Sequence, residues 1–280
     1  MAATIDSNYI NQFSPVMHML LEQQVAKLRP AVAVEKANGE KHFFDRLGSF
    51  TATEIISRNQ PVEPQDAAHS RRMATIRKYE ASVLLDDLDR IKMMIDPSNP
   101  YTRKLAAALG RKFDDTVIAA ALGTAATGQT GSGSAAFDSN NSIAAGGNGL
   151  TKAKIDQALR LLEAAEVDMD NERIFLVVPA TGVEDILAEA TFTSFDYQGG
   201  KPLAGRQLPS YRGLSIIRSQ RLSSKAIVMT EDAVKVAIGQ ELNVTVKDRP
   251  DLTDVTQFQV TMAFGAVRME EARVIEVNYV

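Results

Sequence analysis

The sequence predicts an α+β fold, and three observations carry that expectation. One strongly helical stretch, NPYTRKLAAALGRKFDDTVIAAALG, stands between regions of strand-like alternation. Strand-like runs crowd the last third of the chain: GLSIIRS, KAIVMT, VKVAIG, LNVTVKD, TQFQVTMAFGAVRM and ARVIEVNYV. Helices and strands follow one another without strict βαβ alternation, which argues against a doubly wound parallel sheet.

Ser14 and Pro15 open the first helical pattern as N-cap and first-turn residue, and Met17, Leu21, Val25 and Leu28 form its apolar stripe before Pro30. This short amphipathic helix is expected either to dock on a neighbouring copy or to pack on its own domain. From Ala31 to about Leu85 strands are expected, with Asn38-Gly39 as a hairpin turn and further runs at Phe50 to Ile56 and Met73 to Val83. Between those runs, RNQPVEPQDAAHSRR is polar and proline-rich and reads as the tip of a long excursion. A two-stranded ribbon is marginal alone in water, so the excursion should lean on another subunit.

A short amphipathic segment, Asp86 to Ile95, precedes the long helix. Asn99 is its expected cap, Pro100 lies in its first turn, Gly123 ends it, and Tyr101, Leu105, Leu109, Phe113 and Val117 share a face. The low-complexity segment TAATGQTGSGSAAFDSNNSIAAGGNG reads as a mobile loop or linker. Thr151 then caps a helix carrying Ile155, Leu159 and Leu162, RIFLVVP forms a buried strand, and TGVEDILAEA forms another helix.

Composition narrows the function. The 280 residues, 45% of them hydrophobic, can bury a large core, and no apolar run approaches the roughly 18 to 20 residues of a membrane span. The start, MAATIDSNYINQF, lacks a secretory-signal pattern, so work in the cytoplasm is expected. There is no cysteine, which excludes disulfides, thiolate metal sites and cysteine nucleophiles. A net charge of -4 argues against a dedicated nucleic-acid binder, although a container around nucleic acid need not be basic.

Chemistry-bearing residues do not converge. The glycines from Gly128 to Gly149 match neither a P-loop nor a dinucleotide turn, and His18, His42 and His69 are far apart. Asp86-Asp87 and Asp114-Asp115 point in different directions on a helix and read as solvated faces. Arg71 and Arg72, with His69, form a small basic cluster on the ribbon, suited to acidic groups of a neighbour, to a phosphate, or to ordinary surface charge. No catalytic residue, cofactor or metal is expected.

The order of these elements resembles the major capsid proteins of tailed bacteriophages, the Hong Kong 97-type fold. That resemblance implies residues 1–30 as an N-terminal arm, 31–85 as the E-loop region, and 86–125 as a peripheral domain with its spine helix. It further implies 126–150 as a flexible loop, 151–254 as an axial domain, and 255–280 as strands returning to the peripheral and then the axial sheet. Contacts between subunits are expected at Met17 and Leu21 on the arm and at Arg58, Gln60, His69, Arg71 and Arg72 on the ribbon. The implied function is self-assembly, through pentamers and hexamers, into an icosahedral virion shell around double-stranded DNA, built in the host cytoplasm.

The implied partners are further copies, a separate scaffolding protein, a portal and DNA held without sequence preference; a decoration protein fits the same frame, and no membrane does. The brief lead before the arm suggests little or no N-terminal processing. An encapsulin nanocompartment shell has the same fold and is the nearest alternative. A soluble α+β enzyme or ligand-binding protein, using the glycine-rich loop as a lid, is the alternative of another class.

Overall fold

Alternation along a strand places every second side chain on one face, and in β12 (Val255–Arg268) those residues are Phe258, Val260, Met262 and Phe264, all buried. They face the long helix α1 (Ser98–Leu122), whose 25 residues span about 37 Å. Leu109, Phe113, Val117 and Ala121 recur at helical spacing on its inner side, the first three as the sequence predicts, and join Val260, Met262 and Phe264 in one apolar cluster. The Phe113 and Phe264 rings meet at 5.3 Å. This computed structural model describes residues 26–58, 61, 64–86, 98–188, 211–249 and 255–280.

The sheet under α1 has the order β1 (Ala33–Lys36), β11 (Val234–Arg249), β12 and β4 (Arg77–Leu85). β11 was expected as two strands, but it is one strand with register irregularities between Ile238 and Asn243. It also pairs with β12 along its length, so the unit expected over 151–254 loses its last strand to the helix-backed sheet. A second sheet has the order β7 (Ser142–Ile143), β13 (Val274–Asn278), β10 (Lys225–Thr230), β8 (Ile174–Val178) and β9 (Ser215–Arg218). Helices α2 (Lys152–Ala164) and α3 (Ala180–Ala188) supply Ile155, Leu159, Leu162 and Ile186 to one of its faces. Its opposite face adds Phe175, Val177, Ile227 and Met229 to the core under α1, which is why all five residues of β8 are apolar and buried. The two closing strands therefore lie in different sheets, β12 in the first and β13 in the second.

The third sheet, β2 (Lys41–Leu47), β3 (His69–Thr75), β5 (Ala125–Thr127) and β6 (Gly133–Ala135), carries the ribbon. Here the structure departs from three expectations. Asn38-Gly39 makes a turn, with Gly39 at φ 102°, but not a hairpin, because β1 pairs in parallel with β11 while β2 pairs with β3. Long-range pairing has overridden the local signal. The run from Met73 to Val83 is two strands broken at Ile76, where the chain passes from the third sheet to the first. At that crossing the Thr75 carbonyl sits where a side chain on residue 265 would be, 2.2 Å from a hypothetical Cβ, so only glycine fits at Gly265. Phe50 to Ile56 is not a strand, since no described segment of the chain supplies it with a partner.

The segment expected to be a flexible loop, 126–150, contains β6, a 3-10 turn at Ser139–Asn141 and β7. Its order comes from elsewhere in the sequence: Arg268 stacks on Phe137 at 5.4 Å and donates to the Ala135 carbonyl at 3.2 Å.

Candidate assembly surface

The ribbon is the most exposed part of the described chain. Beyond its base, closed by the Gly48 N–H donating to Ala68 O at 2.8 Å, residues 49–58 lie on the surface. Phe50, Ile55 and Ile56 are 56%, 74% and 84% exposed, and Leu47 beside them is also exposed. Water-exposed aliphatic area costs about 25 cal/mol per Å², so a stretch this apolar on a narrow projection favours association. The limbs of the excursion are tied by Gln65, whose carboxamide accepts from Thr51 N at 3.0 Å and donates back to Thr51 O. A second apolar strip, Leu242, Val244 and Val246, is exposed on the outer half of β11, beyond the reach of β1, which pairs only with Lys235–Ile238. Sequence reasoning missed this strip because its alternation looks the same as that of a covered strand.

The residues expected at contacts divide sharply. Arg58, His69 and Arg71 are exposed, Arg71 paired with Asp45 at 2.5 Å across the ribbon. Arg72 is a correction: strand alternation turns it inward, where it is 5% exposed, donates to Met269 O at 3.2 Å and pairs with Glu271 at 2.6 Å. It fastens the ribbon to its own subunit and offers no tip cation. Met17, Leu21 and Gln60 lie outside the described residues, as does most of the arm helix. Leu28, the last of the expected arm stripe, is fully buried in the subunit's own core.

The acidic pair on α1 is a second correction. Asp114 is not solvated but fully buried, and its two oxygens accept from the Lys27 N–H at 3.1 Å and the Leu28 N–H at 3.0 Å. It pins the main chain at Lys27 and Leu28 to α1. Asp115 holds Arg221 through two bonds of 2.6 Å, which links α1 to the loop after β9.

Arg268, with no exposed surface, completes the bracing: its guanidinium donates to Ala121 O at 2.9 Å and Gly123 O at 2.6 Å, the orphan carbonyls at the C-terminal end of α1. Burial pushes the guanidinium pKa values of Arg72 and Arg268 down, and the nearby Glu271 carboxylate works against that in both. Burial likewise works to lower Arg273, but Glu270 at 2.8 Å and Glu172 at 2.5 Å outweigh it. Glu35 is held below the usual carboxylate range by the Lys235 ammonium, 2.8 Å away. These charges are spent on internal bonds that keep ribbon, helix and sheets in fixed relation.

Among the described residues a groove that could hold a ligand has most of its charged lining already engaged. The groove, of about 390 Å³ between α1 and the ribbon base, is lined by Tyr79, Lys112, Asp115, Thr116, Gly265 and Arg268. Asp115 and Arg268 are already engaged, and Lys112 sits over the Tyr79 ring at 5.3 Å. Among the described residues no three His, Asp or Glu side chains gather as metal ligands, and no helix is long and apolar enough to cross a membrane. His42 rests against Phe44 at 4.7 Å and Glu35 at 3.7 Å, remote from His69 in the ribbon ladder, where His42 pairs with Ala74 and His69 with Leu47.

Several solved structures from phages share this arrangement. The chain matches the capsid structure of cyanophage P-SCSP1u at a TM-score of 0.74 and 16% identity, covering 100% of this chain and 95% of that one. A structure from Mycobacterium phage Che8 matches at 0.74 and 16%, covering 97% and 98%, and the capsid asymmetric unit of cyanophage Pam1 at 0.74 and 15%, covering 99% and 98%. No curated protein matches in sequence. This likeness, at a TM-score of 0.74 along the full length, gives the chain the Hong Kong 97-type fold. The chain belongs to the phage capsid protein family, whose model matches residues 5–280. It is a structural protein of the phage capsid, and not an enzyme.

Proposed function

We propose that the chain builds its shell by laying the ribbon of one subunit across the next, in pentamers and hexamers that close into an icosahedron around double-stranded DNA. The observation that carries this reading is the exposure of Phe50, Ile55 and Ile56 on an excursion closed at its base by the Gly48–Ala68 bond and tied across its limbs by Gln65. Heterologous contacts of this kind repeat around a ring and close when the rotation allows. Each contact is modest, and symmetry multiplies it. The internal ties through Arg72, Asp114 and Arg268 suit such a subunit, because a ribbon that swivelled freely would give up ordering entropy at every contact.

A separate scaffolding protein and a portal complete the assembly in the host cytoplasm, and a decoration protein fits on the outside. DNA is held without sequence preference, and a net charge of -4 keeps the wall from gripping it. Trypsin tests the ribbon assignment. Cleavage after Arg58 should be at least about tenfold slower in assembled particles than in free subunits, because opening must precede cutting once the segment is covered. Equal rates would contradict the overlap.

A further inference from the structure

Lys154 lies in the first turn of α2 and is only 9% exposed, an unusual place for an ammonium because the helix dipole there repels positive charge. Four main-chain carbonyls surround its nitrogen: Ala145 O at 2.7 Å, Asn148 O at 2.7 Å, Gly149 O at 3.0 Å and Asn278 O at 3.3 Å. No carboxylate is bonded to it; Asp185, the nearest acidic influence, accepts instead from the Leu150 N–H at 2.7 Å. Gly146 and Gly147, at φ 59° and 72°, bend the loop that presents three of the carbonyls. The fourth comes from the last strand, β13, which the Val280 N–H also ties to Asn148 O at 3.4 Å.

A ring of carbonyl oxygens at these distances is the environment in which proteins hold a dehydrated monovalent cation. We infer that the Ala145–Gly149 loop and Asn278 form a monovalent-cation site whose occupant is the tethered ammonium of Lys154. An ammonium has three protons for four acceptors, so the cage is built around charge as much as around individual hydrogen bonds. Burial pushes the Lys154 pKa down, and the charge of Asp185 acts the other way. Because the cation is covalently supplied, the junction between loop, helix and terminal strand forms regardless of which salt surrounds the shell. This goes beyond the shell-building role and does not depend on it.

The test is thermal unfolding of the full-length chain and of Lys154→Ala and Lys154→Met, at equal ionic strength in tetramethylammonium, potassium, ammonium or n-propylammonium chloride. Wild type should melt at the same temperature in all four. In tetramethylammonium, too large for the cage, Lys154→Ala should melt lower by on the order of 5–10 °C, as several buried carbonyls lose their donor. Potassium, ammonium or propylammonium should recover at least half of that loss. Lys154→Met, which fills the space without charge, should stay low in every salt. A Lys154→Ala chain that is as stable as wild type, equally destabilised in all four salts, or unfolded even in propylammonium overturns the inference. Salt-dependent recovery of Lys154→Met would overturn it too.

Discussion

Leu109→Asp should yield no folded subunit. Leu109 is 3% exposed at the middle of α1, packed in the cluster that includes Phe113, Val260 and Phe264. The substitution removes a buried aliphatic side chain, worth about 2–5 kcal/mol with its cavity, and adds the desolvation of a carboxylate, which can avoid ionising only by taking up a proton. The sum approaches the whole stability of a domain, about 5–15 kcal/mol. Soluble yield and far-ultraviolet circular dichroism check it: the variant should be insoluble or unfolded, and a soluble chain with the wild-type spectrum would mean that this helix face is not the core.

Ile55→Asp combined with Ile56→Asp should have the opposite profile, an intact subunit and no shells. Both residues are exposed, at 74% and 84%, and changes at such sites move folding stability by only about 0.5 kcal/mol. At an interface centre each lost apolar anchor costs about 2 kcal/mol or more, and the loss recurs at every copy of the contact. Melting temperature should therefore be nearly unchanged, while electron micrographs show no closed particles. Normal particle yields would remove the ribbon from the account of assembly.

The long helix was the most legible element. Its stripe at Leu105, Leu109, Phe113 and Val117 and its stop at Gly123 are local signals; its observed bounds, Ser98–Leu122, end as read but begin ahead of Asn99, the expected cap, which lies inside the helix. RIFLVVP was legible for a similar reason, since an unbroken apolar run of that length suits a strand covered on both faces. The failures share a cause. Asn38-Gly39 signals a reversal, yet nothing local says that the strand before it will pair with Val236 two hundred residues later. The segment 126–150 looked mobile because its fastening groups, Arg268 and Lys154, lie outside it in sequence.

Site residues were legible only as far as strand alternation was followed. Arg71 and Arg72 look alike as neighbours, but the pleat sends one to water and the other to Glu271. Asp114 and Asp115 were read as one solvated pair, although a step of about 100° around a helix separates the acceptor of the Leu28 N–H from the partner of Arg221. The apolar strip of β11 was out of reach because exposure depends on what packs over that face of the sheet, which alternation alone does not show.

The most direct test of the shell-building claim is electron microscopy of the purified full-length chain, alone and co-expressed with the phage's scaffolding protein. Closed particles of uniform diameter are predicted, with five- and six-fold rings of subunits and density of one ribbon lying across the neighbouring subunit. A chain that stays monomeric under both conditions, or rings in which residues 49–58 remain in solvent, would contradict it.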